Sequence, residues 1–241
     1  MTENKKENLN NRMIKFLFEA APVRGACVQM AEEWQEMIKF HHYPENVAAL
    51  LGQFTAGALL LSSTIKFEGS LILQVKGSGP IAFIYAEVRN PMSVRAMAEI
   101  REGAEIKPEM DLQELINKDG KGLCALILDP KDRRPGVQPY QGMVSLESNS
   151  VAENLENYMA KSEQLETKLY LAADCKKLGG LVIQKMPSVG GNVSEISDPD
   201  AWGRIMQLAH TVTKEELLNV PATDVLHRLF WQEKLVPVTE T

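Results

Sequence analysis

The sequence predicts an α+β protein with mostly antiparallel sheets packed around a buried central helix, followed by a helical linker region. Three observations carry that expectation. Glu45 to Ser63 has helical spacing yet is apolar on nearly every face, as a helix enclosed by other elements must be. Around it stand runs of alternating apolar residues joined by Gly/Pro turns, the pattern of hairpins. After Met186-Pro187 the alternation gives way to a Ser/Gly/Asn loop and then to short amphipathic stretches. Few strands are separated by the regular helices that a parallel sheet requires, so the sheets are expected to be antiparallel.

The elements follow in order. Met13 to Phe18 reads as a strand, Ala21-Pro22 as a turn, and Val23 to Gln29 as a second strand. Ala31 to Phe40 places Trp34, Met37 and Ile38 on one helical side. Tyr43-Pro44 ends that unit, because proline disfavours helical geometry in the residue before it. In the central helix Val47, Leu50, Leu51, Phe54, Ala58 and Leu61 form one face, while Ala48, Ala49, Ala56, Leu59 and Leu60 fill the others. Gly52 and Gly57 weaken a helix and so signal close packing against a neighbour.

Ile65 to Lys76 and Ile81 to Val88 flank Gly77-Ser78-Gly79-Pro80 as a hairpin. Asn90-Pro91 turns the chain into a third strand, Val94 to Ile100. Asp111 caps a short helix through Ile116. Gly122 to Leu128 and Tyr140 to Leu146 are strands joined by the Pro- and Arg-rich loop Asp129 to Pro139. Ser150 caps a helix with Val151, Leu155, Tyr158 and Met159 on one face. Thr167 to Ala173 and Gly180 to Met186 make the closing hairpin.

Residues 1–187 thus form a core domain, and residues 188–241 a linker loop with a three-helix region. Ser188 to Ser197 is the loop. Asp198 is expected to cap a helix with Pro199 at its first position, striped by Trp202, Ile205, Met206 and Ala209. Thr213 and Glu216 form a capping box for a helix bearing Leu217 and Leu218. Pro221 opens a third, striped by Val225, Leu226, Leu229 and Phe230. Helices this short cannot bury a core among themselves and must lie on something larger.

Composition narrows the function classes. Lys+Arg 26 against Asp+Glu 32 gives a net charge of −6, and no basic cluster suits a nucleic-acid backbone. No stretch approaches eighteen consecutive apolar residues, so no membrane span is expected. Met1 to Arg12 is polar and lacks a secretory leader's apolar centre. Cys27, Cys124 and Cys175 are far apart without metal-ligand spacing, which fits a reducing cytoplasm.

Catalytic patterns are missing as well. Gly77-Ser78-Gly79 lacks the rest of a dinucleotide loop, and no phosphate-binding Gly-Lys-Ser/Thr loop is present. His41-His42 are adjacent and do not converge on a helix; they read as surface residues near a turn, and His210 and His227 as cap or surface residues. Cys27 and Cys124 sit in apolar strands and read as inert. Lys176 and Lys177 are expected to lower the Cys175 pKa slightly.

A resemblance emerges from segments that fall in order at suitable spacing. They are Val23-Arg24-Gly25, Tyr43-Pro44 with Leu50-Leu51-Gly52, Ile65-Lys66-Phe67-Glu68-Gly69, and Gly77-Ser78-Gly79-Pro80. Tyr140-Gln141-Gly142-Met143-Val144, Ser162-Glu163-Gln164-Leu165 and Met186-Pro187 continue the series. Thr213-Lys214-Glu215-Glu216-Leu217-Leu218 and Val225-Leu226-His227-Arg228-Leu229 complete it. Together they resemble the thirty-three-kilodalton heat-shock protein family, a redox-regulated bacterial chaperone, over nearly the whole chain.

The resemblance implies an ATP-independent holdase that binds unfolding client proteins under oxidative and heat stress, as a cytoplasmic homodimer. It also implies a C-terminal domain whose four cysteines hold one zinc. None of those positions occurs here, so the expectation is a form without the switch: no metal ligand and no cofactor in this chain, and constitutive activity. Trp202, Ile205, Met206, Leu217, Leu218, Val225, Leu226, Leu229 and Phe230 are then the candidate client-binding or regulatory residues, and no catalytic residue is expected. Two alternatives stand beside this: a cytoplasmic enzyme with a site between the sheets, and a passive oligomeric scaffold.

Overall fold

A computed structural model describes residues 12–65, 67–89, 93–132, 138–187, 198 and 200–240. The chain opens with strands β1 (Arg12–Phe18) and β2 (Val23–Met30), then helices α1 (Glu32–Ile38) and α2 (Glu45–Thr64). Strands β3 (Gly69–Lys76), β4 (Ile81–Arg89) and β5 (Ser93–Ile100) form a meander, followed by α3 (Leu112–Ile116), β6 (Leu123–Pro130) and β7 (Tyr140–Val144). Helix α4 (Val151–Lys161) leads to the hairpin β8 (Thr167–Ala173) and β9 (Leu178–Lys185). The last part holds α5 (Ala201–Ala209), α6 (Lys214–Asn219), α7 (Ala222–Phe230) and β10 (Leu235–Glu240).

Two five-stranded sheets result. The first has the order β10-β1-β2-β9-β8, the second β5-β4-β3-β6-β7. Every ladder in both is antiparallel. Helix α2 lies between them, against β2, β8 and β9 on one side and β3, β4 and β5 on the other. It is long and apolar enough to cross a membrane, but most of it is buried inside the protein, and Ala48, Leu51, Leu59, Leu60 and Leu61 are wholly enclosed. Its hydroxyl groups are satisfied within the helix: Thr55 donates to the Leu51 carbonyl at 2.8 Å and Thr64 to Leu61 at 2.9 Å. Gly57 lets the helix approach its neighbours closely, since a Cβ there would stand 2.7 Å from a Leu155 methyl. Helix α2 thus fills the centre of the space between the sheets.

Several expectations are corrected. Strand β3 begins at Gly69, not Ile65, because its partner β6 ends at Pro130, opposite Gly69. Helix α5 begins at Ala201 with Asp200 at the cap position and no side-chain cap. The Asp198 carboxylate instead accepts from the Asp200 N–H at 3.0 Å and pairs with Arg204. The region after residue 187 is not wholly helical: Leu235–Glu240 returns as β10 and pairs with β1. The Asp111 cap, the Thr213/Glu216 capping box and the Ser150 cap form as expected, and Glu114 completes a capping box at Asp111 as well. The Asn90-Pro91 turn, the Arg133–Val137 part of the β6–β7 loop, Lys66, the Ser188–Ser197 linker and Pro199 lie outside the described residues.

Candidate functional site

Strands β2 and β9 do not alternate. Val23–Met30 is buried at nearly every position, and Leu178–Gln184 at all of them. A strand apolar on both sides needs a cover on both sides. Ala26, Val28, Met30, Leu178 and Val182 turn toward α2 and the central core. Val23, Cys27, Leu181 and Ile183, with Phe16 and Phe18 of β1, turn the other way into a separate cluster.

Helices α5, α6 and α7 roof that outer face. All nine candidate residues are part of the roof. Ile205, Leu217, Val225, Leu226, Leu229 and Phe230 are buried, while Trp202, Met206 and Leu218 pack on the same cluster half-buried. Phe230 meets Phe18 edge-on with ring centroids 5.1 Å apart, and Phe16 lies 6.2 Å from Phe230. The stripes of three helices are thus spent on one sheet face, and lifting the helices would bare both surfaces.

Charged groups tie the roof down at its rim. Arg204 donates to Glu233 at 2.6 Å and to Asp198 at 2.8 Å, and the Arg204 pairing holds the Asp198 carboxyl below its usual range. Arg228 pairs with Glu216 at 2.5 Å, and Lys234 with Glu19 at 2.6 Å. The cations of these pairs face water, while the Glu233 side chain is only 7% exposed.

One polar group sits inside. Gln29 is 5% exposed, and its Nε2 donates to the Leu217 carbonyl at 2.9 Å and the Val220 carbonyl at 2.7 Å. Its Oε1 accepts from the Ala222 N–H at 2.9 Å. Sequence reading missed Gln29, although an amide within the run Val23–Met30 is a signal in itself. It also missed the sheet half of the surface, which the unbroken apolar run Leu178–Ile183 announces.

Cys27 lies under the helices and Cys124 in the central core, and burial pushes each thiol up to about 12. Cys175 is exposed, yet its pKa is raised and not lowered. Partial burial, Glu45 and Asp174 outweigh Lys176 there. Among the described residues no three His, Cys, Asp or Glu side chains gather to hold a metal ion. The cysteines present do not fit the zinc site that the resemblance implies, since Cys27 and Cys124 are buried in separate clusters and Cys175 stands at the surface. His41, His42, His210 and His227 are exposed, and His41 stacks on Tyr43.

Comparison with known proteins agrees with the architecture. The family model described as Hsp33 protein matches residues 11–241. The 33 kDa chaperonin of Methylobacillus flagellatus is 38% identical over 226 residues, covering 93% of this chain and 73% of that protein. The 33 kDa chaperonin of Nitrosococcus oceani is 40% identical over 229 residues, 94% of this chain and 74% of that protein. Among solved structures, the 33 kDa chaperonin (heat shock protein 33 homolog) of Thermotoga maritima aligns with a TM-score of 0.71. At 20% identity, over 96% of this chain and 78% of that one, the likeness is one of fold.

Proposed function

This chain belongs to the Hsp33 protein family and is a chaperone, and from that premise we propose that it is an ATP-independent holdase. It binds unfolding proteins on apolar surface exposed when α5–α7 lift from the first sheet, and keeps them from aggregating under heat and oxidative stress. The observation that carries the reading is the buried double surface: helices of 9, 6 and 9 residues cover an aromatic and aliphatic sheet face. Helices of that length are marginal alone and stay ordered only while docked. A roof of this kind opens at lower cost than the whole fold.

The reading extends to regulation, partners and place. Thiolate is the reactive form of cysteine, and the raised pKa of all three thiols leaves little of it. On this reading holding by this chain is oxidant-independent, takes no cofactor and involves no catalysis. Its partners are partly folded client chains and a second copy of itself, with neither nucleic acid nor membrane among them. Free, separated cysteines suit the cytoplasm.

Light scattering of a chemically unfolded client on dilution tests this, with reduced chain present and no ATP. Scattering should fall as the chain approaches equimolar amounts, and peroxide should change little. A client that aggregates at its unassisted rate overturns the holdase reading; suppression only after peroxide overturns the oxidant-independence.

A further inference from the structure

The corner between α6 and α7 leaves backbone groups without helical partners. A helix ends with free carbonyls and begins with free N–H groups. At this corner both sets point into an apolar interface, where an unmade hydrogen bond is costly. Val220 is already extended and Pro221, which has no N–H, stands between the helices. Gln29 meets this need by itself, with two donors for Leu217 and Val220 and one acceptor for Ala222. Only a side-chain amide offers that set. Glutamate would turn oxygens toward two carbonyls, and methionine would offer nothing.

A second observation converges on the same atom. Gln29 is paired across the ladder with Gly179 of β9. A Cβ on Gly179 would collide with the Leu217 carbonyl, the group that Gln29 binds. The missing side chain makes a notch and the neighbouring amide fills its polar requirement, so one cross-strand pair receives one carbonyl. Elsewhere the roof is held by apolar packing and by ion pairs at its rim. The notch has one solution only.

We propose that the Gln29–Gly179 pair is the latch of the helical roof, and that seating the α6–α7 corner in it sets how readily the protein takes up unfolded chains. The second half rests on the holdase reading; the latch itself does not.

The cysteines supply the assay. Cys27 lies beneath the roof, Cys124 in the central core, and Cys175 at the surface. Maleimide labelling of the full chain, resolved by cysteine with mass spectrometry, therefore separates roof opening from global unfolding. Gln29→Met and Gly179→Ala should each raise the Cys27 rate by about tenfold or more, with Cys124 unchanged and Cys175 the fastest of the three throughout. Gly179→Ala removes no hydrogen-bonding group and carries the test if Gln29→Met does not fold. In the unmutated chain, the Ala222 amide should exchange with solvent no faster than any amide of α6. An unchanged Cys27 rate, Cys124 rising in step with Cys27, or a faster Ala222 amide overturns the latch. Cys27 opened without any gain in client holding leaves the latch standing and overturns the holdase reading of the roof.

Discussion

At the scale of single residues, small groups decide where large ones sit. Gly142 of β7 is buried against the Tyr158 ring, and a Cβ there would overlap the phenol. Tyr158 in turn donates to Glu163 at 2.8 Å, beside Tyr140, which donates to the same oxygen at 3.0 Å. Burial and this acidic company push the Tyr158 pKa up. Two segments that looked like separate marks in the sequence, Tyr140–Val144 and Ser162–Leu165, meet at this one hydrogen-bonded cluster. Gly57 is the plainest case for measurement. Gly57→Val would force a branched side chain against Leu155, Leu171 and Leu73, costing about 2 kcal/mol and about 6 °C in Tm. A thermal melt that leaves Tm unchanged would show that α2 has room to spare. The nine apolar stripe residues were legible because helical periodicity marks them. Gln29 and Gly179 were not, since their meaning lies in a carbonyl about 190 positions and about 40 positions away, respectively.

Among elements, α2 and the roof helices are opposites. Helix α2 has neighbours on every side, while α5, α6 and α7 each rest on one sheet face. Amide hydrogen exchange should therefore run at least about tenfold faster across Asp198 to Glu233 than across Val47 to Leu61. Equal protection of the two segments would mean that the roof opens only with the whole fold. The helices and most strands were readable from period, caps and turns. Strand β10 was not, because Pro237 interrupts a run of only 6 residues. The fold accepts that proline on an outer strand, where its missing N–H faces no partner, and the register shifts between Lys15 and Phe16 as β1 passes it. The Asp198 cap failed for another local reason: its carboxylate serves the Asp200 N–H and Arg204 and leaves the helix to start later.

Across the whole molecule, the described residues leave part of one face of the second sheet exposed. Met97, Tyr85, Gln74, Ala125 and Met143 form a cross-strand row on it, with Met97 41% and Met143 53% exposed and Leu123 nearby at 54%. An apolar row of this kind favours self-association, so light scattering at micromolar concentration should report a homodimer; a monomer across that range would refute it. The sequence allowed antiparallel sheets around a helix but not their membership, because strand order records pairing between distant segments. That order has a consequence in time. The second sheet is built from one continuous stretch, Gly69 to Val144, whereas the first joins β1 and β2 to β8, β9 and β10. On a ribosome, β2 waits for β9, more than 140 residues later, on the order of ten seconds at ordinary synthesis rates. Through that interval its apolar edge has no partner, and α2 has only half its enclosure. A chaperone is itself, for those seconds, a chain with apolar surface still to cover.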